Sequence, residues 1–360
     1  MSLVCSIDQK MSDRFTNKIR VGIAGYGIVG KRRSKCIKNN KNMVLVAVCD
    51  KNPDTKLDLD DDIAYHESYI DLLKNNLDAL FICLTNNIAS EVTIAGLNAG
   101  LHVFCEKPPA QNIDQMKSVI KVKHKYPKLK LKYGFNHRYH ESVKDAQKLI
   151  KAGELGDIID LNAIYGKSKV VTATGPDAGW RSQRKIAGGG ILLDQGIHMV
   201  DLIRYLAGEF EEVHSFISNN FWKYDVEDNA YALMRTNNGK VAILQSSATQ
   251  WLHDFRLNIT LERGSLILKG ILSSTKSYGA ETLTVIYKSD DDQGDPKKVT
   301  TSYNNDPSWE DEVDEFSKSI IEDSETLTGT HEDAYQTMKL VYRIYCADQI
   351  WKKKFNLKYE

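Results

Sequence analysis

Apolar residues in the first third of the chain arrive in short unbroken runs, separated by segments of helical period. Ile19–Ala24 is one such run, Met43–Cys49 (MVLVAVC) a second, Ala79–Leu84 (ALFICL) a third and His102–Cys105 (HVFC) a fourth. Runs of this length, rich in β-branched residues, suit strands buried on both faces. Between them, Ile28–Asn39, Glu67–Asn75, Ala89–Asn98 and Ile113–Lys123 read as helices. Strand and helix in alternation predict a parallel, doubly wound sheet over residues 19–135. Further on, Val213–Ile217, Ala230–Arg235, Val241–Ser247 and Leu257–Glu262 alternate or run apolar as antiparallel strands do. Asn237-Asn238-Gly239 is a hairpin signal, and SDDDQGDPKK (289–298) reads as an exposed turn.

Composition narrows what such a chain does. Its 360 residues, 42% hydrophobic and 27% charged, suffice for about two globular domains. The 48 basic and 48 acidic residues cancel, and no basic block extends beyond Lys31-Arg32-Arg33, so a nucleic-acid partner is not indicated. Residues 1–18 are polar and mixed, and no run reaches the roughly 18 apolar residues that span a bilayer, which leads us to expect a soluble, cytoplasmic protein with no membrane partner. Cys5, Cys36, Cys49, Cys83, Cys105 and Cys346 lie far apart without a C-x-x-C pair, so they read as thiols in a reducing compartment.

The first apolar run ends in Gly25, Gly27 and Gly30, a G-x-G-x-x-G that follows a strand and opens a helix. In that setting the amides of Ile28 and Val29 and the helix dipole suit a pyrophosphate. The second run ends at Asp50, about twenty residues on, where a carboxylate accepts hydrogen bonds from ribose hydroxyls and repels a 2′-phosphate. This favours NAD over NADP, although Lys51 partly offsets the repulsion. The alternative is a ligand-free turn with a solvated Asp.

The fourth run leads into Glu106-Lys107-Pro108-Pro109. Carboxyl ends of parallel strands face the ligand crevice, so Glu106 and Lys107 are expected beside the cofactor, with Lys107 able to polarise a substrate oxygen. An exposed Glu-Lys pair is the plainer reading. In AGGGILLDQGIHMVDLIRYLAG (187–208), Asp194, His198 and Asp201 stand at i, i+4 and i+7 on one helix face. A carboxylate there would hold the His in one tautomer and tune it near neutral pH, as a general acid/base needs. A capping Asp with a core His, or a metal site, are alternatives, though no further His or Cys cluster supports a metal. Gly188-Gly189-Gly190 suggests a backbone passing close to nicotinamide or substrate.

Together with YGFNHRY (133–139), these motifs resemble the Gfo/Idh/MocA oxidoreductases, the glucose–fructose oxidoreductase and inositol dehydrogenase family. The resemblance runs from about Ile19 to Lys353 and includes LIKAGELGDI (149–158), DVEDNAYALMRTNNGKVAIL (225–244) and TGTHEDAYQTMKLVYRIYCAD (328–348). It implies an N-terminal Rossmann domain (19–137) and a C-terminal α+β domain (138–340) with a large, mostly antiparallel open sheet that forms homodimers or homotetramers. Residues 341–360 would be a helix and tail returning to the first domain. It further implies hydride transfer between a sugar or polyol CH–OH and NAD, with Lys107 at the reacting oxygen, His198 exchanging the proton and Asp194 orienting. No metal is implied. Thr85 and Asn86 fall near the cofactor by position, but TNNIAS lacks the T-P-x-x-x-H pattern of many relatives.

Asn136, Arg138, Tyr139, Tyr165, Trp180, Arg181 and Arg184 fall in segments that line the substrate side in relatives. Arginines with an aromatic suit a phosphate stacked against a sugar or base, which points to a nucleotide-linked sugar. A free sugar or inositol is the alternative, and a non-catalytic NAD-binding regulator of the same fold a third.

Overall fold

The structure is a computed structural model, described here for residues 18–169, 179–273, 277–289, 291 and 294–359. Val21, Ile23, Leu80, Phe81, Val103 and Phe104 have no exposed surface, as strands covered on both faces require. The first layer runs β1 (Ile19–Ala24), α1 (Ile28–Asn39), β2 (Met43–Cys49), β3 (Ala64–His66), α2 (Tyr69–Leu72), β4 (Ala79–Ile82), α3 (Asn86–Asn98), β5 (His102–Glu106), α4 (Ile113–Lys123) and β6 (Leu131–Gly134). The strands pair in parallel in the order β3-β2-β1-β4-β5-β6. The order reverses between β1 and β4, so their carboxyl ends open the crevice in which a dinucleotide lies in this topology.

The second layer holds α5 (Glu141–Ala152), β7 (Ile158–Gly166), α6 (Arg184–Ala187), a π-type turn over Leu192–Gly196, α7 (Ile197–Ala207), β8 (Glu212–Ser218), β9 (Asn229–Arg235), β10 (Val241–Ser247), β11 (Asp254–Leu261), β12 (Gly264–Lys269), β13 (Glu281–Tyr287) and β14 (Lys298–Tyr303). These strands form one open sheet, β14-β13-β12-β11-β7-β10-β9-β8, antiparallel except where β7 meets β10. Gly239 closes the expected hairpin at φ +88°. The turn expected at 289–298 lies partly outside the described residues. One face of the sheet is covered by α5, α7 and α9 (His331–Ala347). On the other, Phe216, Tyr231, Leu233 and Ile243 stand exposed on β8, β9 and β10.

The expected partition into domains differs from the packing in two respects. α8 (Ser308–Ile321) falls within the stretch assigned to the second domain, yet Val313 and Phe316 lie in the core of the first with Val21, Ile23, Phe81 and Phe104. Phe316 meets the stacked pair Phe81 and Phe104 edge-on, with centroids 5.7 and 5.6 Å away. α9 and then α10 (Gln349–Phe355) close the fold, so the boundary expected at 341 falls inside α9. Among the described residues, one helical run, Arg184–Ala207, is long and apolar enough to cross a bilayer, and 83% of its most apolar window is buried within the fold.

Candidate active site

Each glycine of the first motif does a different job. Gly25 sits at φ +90°, and a Cβ there would lie 2.5 Å from the Cys83 carbonyl, so the tight turn from β1 into α1, packed against the end of β4, needs glycine. A Cβ on Gly30 would lie 2.1 Å from the Gly25 carbonyl, which is how closely α1 packs on the loop. A Cβ on Gly27 would meet nothing within 4 Å, so its face opens onto the crevice. Ile28 is exposed beside it, α1 has no side-chain cap, and its first turn carries no acid. These are the three roles that a pyrophosphate-binding turn assigns to its glycines, and the residues fit a dinucleotide.

Asp50 lies against this loop. Its Oδ2 accepts from the Tyr26 amide at 2.7 Å and its Oδ1 from the Asn52 amide at 2.9 Å. The carboxylate is thereby fixed at the end of β2 with lone pairs left for ribose hydroxyls. Lys51 is exposed. Thr85 stands at the start of α3 and gives its hydroxyl to the Asn87 side-chain Oδ1 at 2.7 Å rather than capping a helix amide. Asn86 differs from expectation: its side chain is buried and donates to the Ala187 carbonyl at 2.7 Å, tying α3 to the second layer.

Glu106 also departs from its expected role. Its Oε1 accepts from Arg33 Nε at 2.6 Å, while Arg33 Nη2 reaches Glu312 Oε2 at 2.6 Å. The guanidinium, fully buried, lies between Phe104 and Trp309 at 4.5 and 4.2 Å from their ring centres. Glu106 is thus a strut that anchors the residue next to Lys107. The Lys107–Pro108 bond is cis.

Lys107 reaches across to the π-type turn and donates to the Asp194 carbonyl oxygen, with the Asp194 carboxylate 3.9 Å away. That carboxylate receives Arg181 Nε at 3.2 Å and Lys167 Nζ at 3.4 Å. Burial pushes the Lys107 ammonium below its ordinary value, with Arg181 and Lys167 adding to the effect against the pull of Asp194. Burial opposes ionisation of Asp194, but the three cations outweigh it and hold the carboxyl well below its usual range.

Asp194 and His198 do not form the pair that their spacing predicts. The π-type turn interrupts the i, i+4 face, and Asp194 turns to the cations. His198 instead stacks on His137, with centroids 3.8 Å apart and planes 12° off parallel, and its Nδ1 is buried without a partner. Burial, then Lys107 and His140, push His198 well below the ordinary histidine value, so it is neutral rather than tuned near pH 7. Asp201 faces elsewhere, bonding Arg138 through both oxygens at 2.7 Å. Gly188, Gly189 and Gly190 press on the chain itself: a Cβ would lie 2.2 Å from the Gln111 carbonyl, 2.3 Å from the Tyr345 hydroxyl and 2.0 Å from the Glu227 carbonyl. The buried Glu227 carboxylate accepts the Gly190 and Leu192 amides at 2.8 and 3.0 Å, pinning the start of the segment that carries Asp194 and His198.

The residues expected on the substrate side divide. Tyr165 remains in the cluster, its hydroxyl 3.0 Å from His137 Nε2. Asn136 accepts from His137 Nδ1 at 3.2 Å and donates to Ser308 at 3.0 Å, which makes it a support for His137. Arg138 pairs with Asp201 and Asp333, and Tyr139 joins Lys132, Glu315 and Thr328, both buried away from the cations. Trp180 stacks under Arg181 at 4.3 Å. Arg184 turns to the C-terminal helix instead, 4.1 Å over Phe355. The sequence reading passed over His137, Lys167, Gln195 and Tyr278, the last two joined by a 2.6 Å hydrogen bond. His137 lay inside the quoted YGFNHRY, and Lys167 is the first residue past β7, where chemistry gathers.

Comparison with known proteins bears on the family and the fold. Residues 19–135 match a family described as an oxidoreductase family with an NAD-binding Rossmann fold, and residues 143–267 match the GFO/IDH/MocA C-terminal domain. The chain is 26% identical over 268 residues to myo-inositol 2-dehydrogenase of Thermotoga maritima, covering 71% of this chain and 77% of that one. It is 29% identical over 267 residues to D-glucoside 3-dehydrogenase of Escherichia coli, covering 68% and 72%. In fold it is similar to a levoglucosan dehydrogenase solved with NADH and levoglucosan, at TM-score 0.81 and 21% identity over 93% of this chain and 98% of that one.

Proposed function

Because this chain belongs to the GFO/IDH/MocA oxidoreductases and is an NAD-binding enzyme of sugars or polyols, we propose that His198 moves a proton to and from a free sugar or inositol hydroxyl, with Lys107 at the same oxygen and Asp194 positioning Lys107. Bound NAD supplies the acceptor or donor of hydride at its nicotinamide ring. The observation that carries the reading is the meeting of the Lys107 ammonium, from the cofactor sheet, with Asp194 and the neutral His198, from the second domain. His198, uncharged and stacked on a neutral His137, is ready to take the hydroxyl proton. With Nδ1 buried, we assign the exchange to Nε2. The Lys107 ammonium hydrogen-bonds the same oxygen and stabilises the negative charge that develops on it. Asp194 holds Lys107 in place. Gly27, Ile28 and Val29 receive the pyrophosphate, and Asp50 the adenosine ribose, which favours NAD over NADP.

A nucleotide-linked substrate is set aside in favour of the free sugar or polyol. The named relatives act on inositol and glucosides, and of the two arginines that motivated the nucleotide, Arg184 is turned to the C-terminal aromatics, which leaves Arg181. The apolar strip of Phe216, Tyr231, Leu233 and Ile243 supports self-association through the open sheet. The experiment is NADH formation from NAD⁺ across neutral hexoses, glucosides and inositols, with Lys107→Met and His198→Asn alongside. Turnover falling about 10²–10⁴-fold in both variants with NADH still bound supports the assignment. Full turnover in either variant removes that residue from the mechanism.

A further inference from the structure

The charge around Asp194 does not balance. One carboxylate faces three cations, Lys107, Lys167 and Arg181, at 3.9, 3.4 and 3.2 Å. One lysine is enough for the proton chemistry above and enough to keep Asp194 ionised. Lys167 and Arg181 are therefore surplus to it, and each disfavours the Lys107 charge. Lys167 and Asp194 are largely buried, with side-chain exposures of 19% and 15%, where like charges repel more than in water. Among the described residues, Glu106 does favour the Lys107 charge, but each nearby acid has a partner of its own. Glu106 is held by Arg33, Glu281 by His140 and Asp254 by Arg256.

Position and geometry indicate what the surplus is for. Lys167 directly follows β7, and Arg181 lies in the short turn Trp180–Ser182, both on the second-domain side of the cluster. Arg181 bonds Asp194 through Nε while its plane stacks on Trp180, so that bond uses neither terminal nitrogen, and a guanidinium offers such a pair for a forked contact.

Resting on the dehydrogenase reading, we propose that the substrate carries an anionic substituent, a carboxylate or a phosphate, held by Lys167 and Arg181 beside the hydroxyl that reacts. A sugar acid or sugar phosphate, with no nucleotide attached, meets that description.

The test measures competition in NADH fluorescence, with protein saturated in NADH, for sugars that differ only in the charged group. D-Glucose is set against D-glucuronate and D-glucose 6-phosphate, and D-galactose against D-galacturonate. We expect the anionic member of each set to bind about tenfold or more tightly, with an advantage that shrinks as salt is raised. It should vanish in the Lys167→Gln/Arg181→Gln double variant while NADH affinity is unchanged. The uronate and phosphate arms show which anion fits. Neutral sugars binding as well as anionic ones, or an advantage that survives in the double variant, overturns the inference. If neutral sugars are oxidised and acids ignored, the dehydrogenase reading stands and this inference falls. If NADH itself fails to bind, that reading falls, and calorimetry of the same sugars on the cofactor-free protein still decides the charge preference.

Discussion

Gly27 and Gly30 lie three residues apart in one turn, and alanine at each separates the cost of folding from the cost of binding. Gly27 has φ −72° and ψ −159°, an extended conformation that alanine adopts, and its Cβ would meet nothing within 4 Å. Gly27→Ala should leave the cofactor-free protein within about 0.5 kcal/mol of wild type, or raise it slightly by restricting the unfolded chain. The added methyl instead occupies space that a pyrophosphate needs. A clash of that kind costs ~1–3 kcal/mol, or roughly 5- to 150-fold in NADH affinity. At Gly30 the new Cβ would lie 2.1 Å from a backbone oxygen, which cannot step aside as a flexible side chain can. Gly30→Ala should therefore destabilise the cofactor-free fold by ~1–3 kcal/mol. Urea unfolding without cofactor and NADH fluorescence titration read the two effects separately. Wild-type NADH affinity in Gly27→Ala, or wild-type stability in Gly30→Ala, would refute the assignment of the turn.

Three further outcomes follow from the geometry. His198 is held below its ordinary value of 6.5, so under that pH the unfolded chain binds a proton that the fold refuses, and stability falls as pH drops. Over the unit of pH below that value, the slope of unfolding free energy should exceed that of His198→Asn by up to about 1.4 kcal/mol, and equal slopes would show His198 to be protonated in the fold. Arg33→Met leaves Glu106 and Glu312 facing each other without their cation, and should cost ~3–5 kcal/mol in urea unfolding. A loss under about 1 kcal/mol would show that Glu312, which burial pushes up to about 7, takes up a proton at little expense. Phe216→Glu places a charge on the exposed strip of β8 and should lower the sedimentation coefficient, whereas an unchanged coefficient would place any self-association elsewhere.

The cofactor half was legible from sequence because its signals are local. An apolar run, a glycine turn and a helix are contiguous, and β1, α1 and β2 fall at their expected residues. The proposed active-site cluster was legible only as a set of residue types. The spacing of Asp194 and His198 implies a shared face in a regular helix, and the π-type turn removes it, which no count of apolar positions reveals. His137 and Lys167 reach the site through strand ends and stacking, contacts between distant segments that leave no periodic trace. Asn86, Glu106 and Arg138 share the reverse lesson. Polar residues near a crevice are as readily used to fasten one element to another as to touch a ligand.

α8 joins the first layer from far along the chain. A ribosome would release β1 to β6 long before the helix that completes their core, and until then Arg33 has no Glu312 and Phe81 and Phe104 have no Phe316. Domains generally fold as units in the order of synthesis. Here the half that binds the cofactor is made first and finished late, so the nascent chain must carry an open apolar face while residues 135–307 are made, about half of its translation.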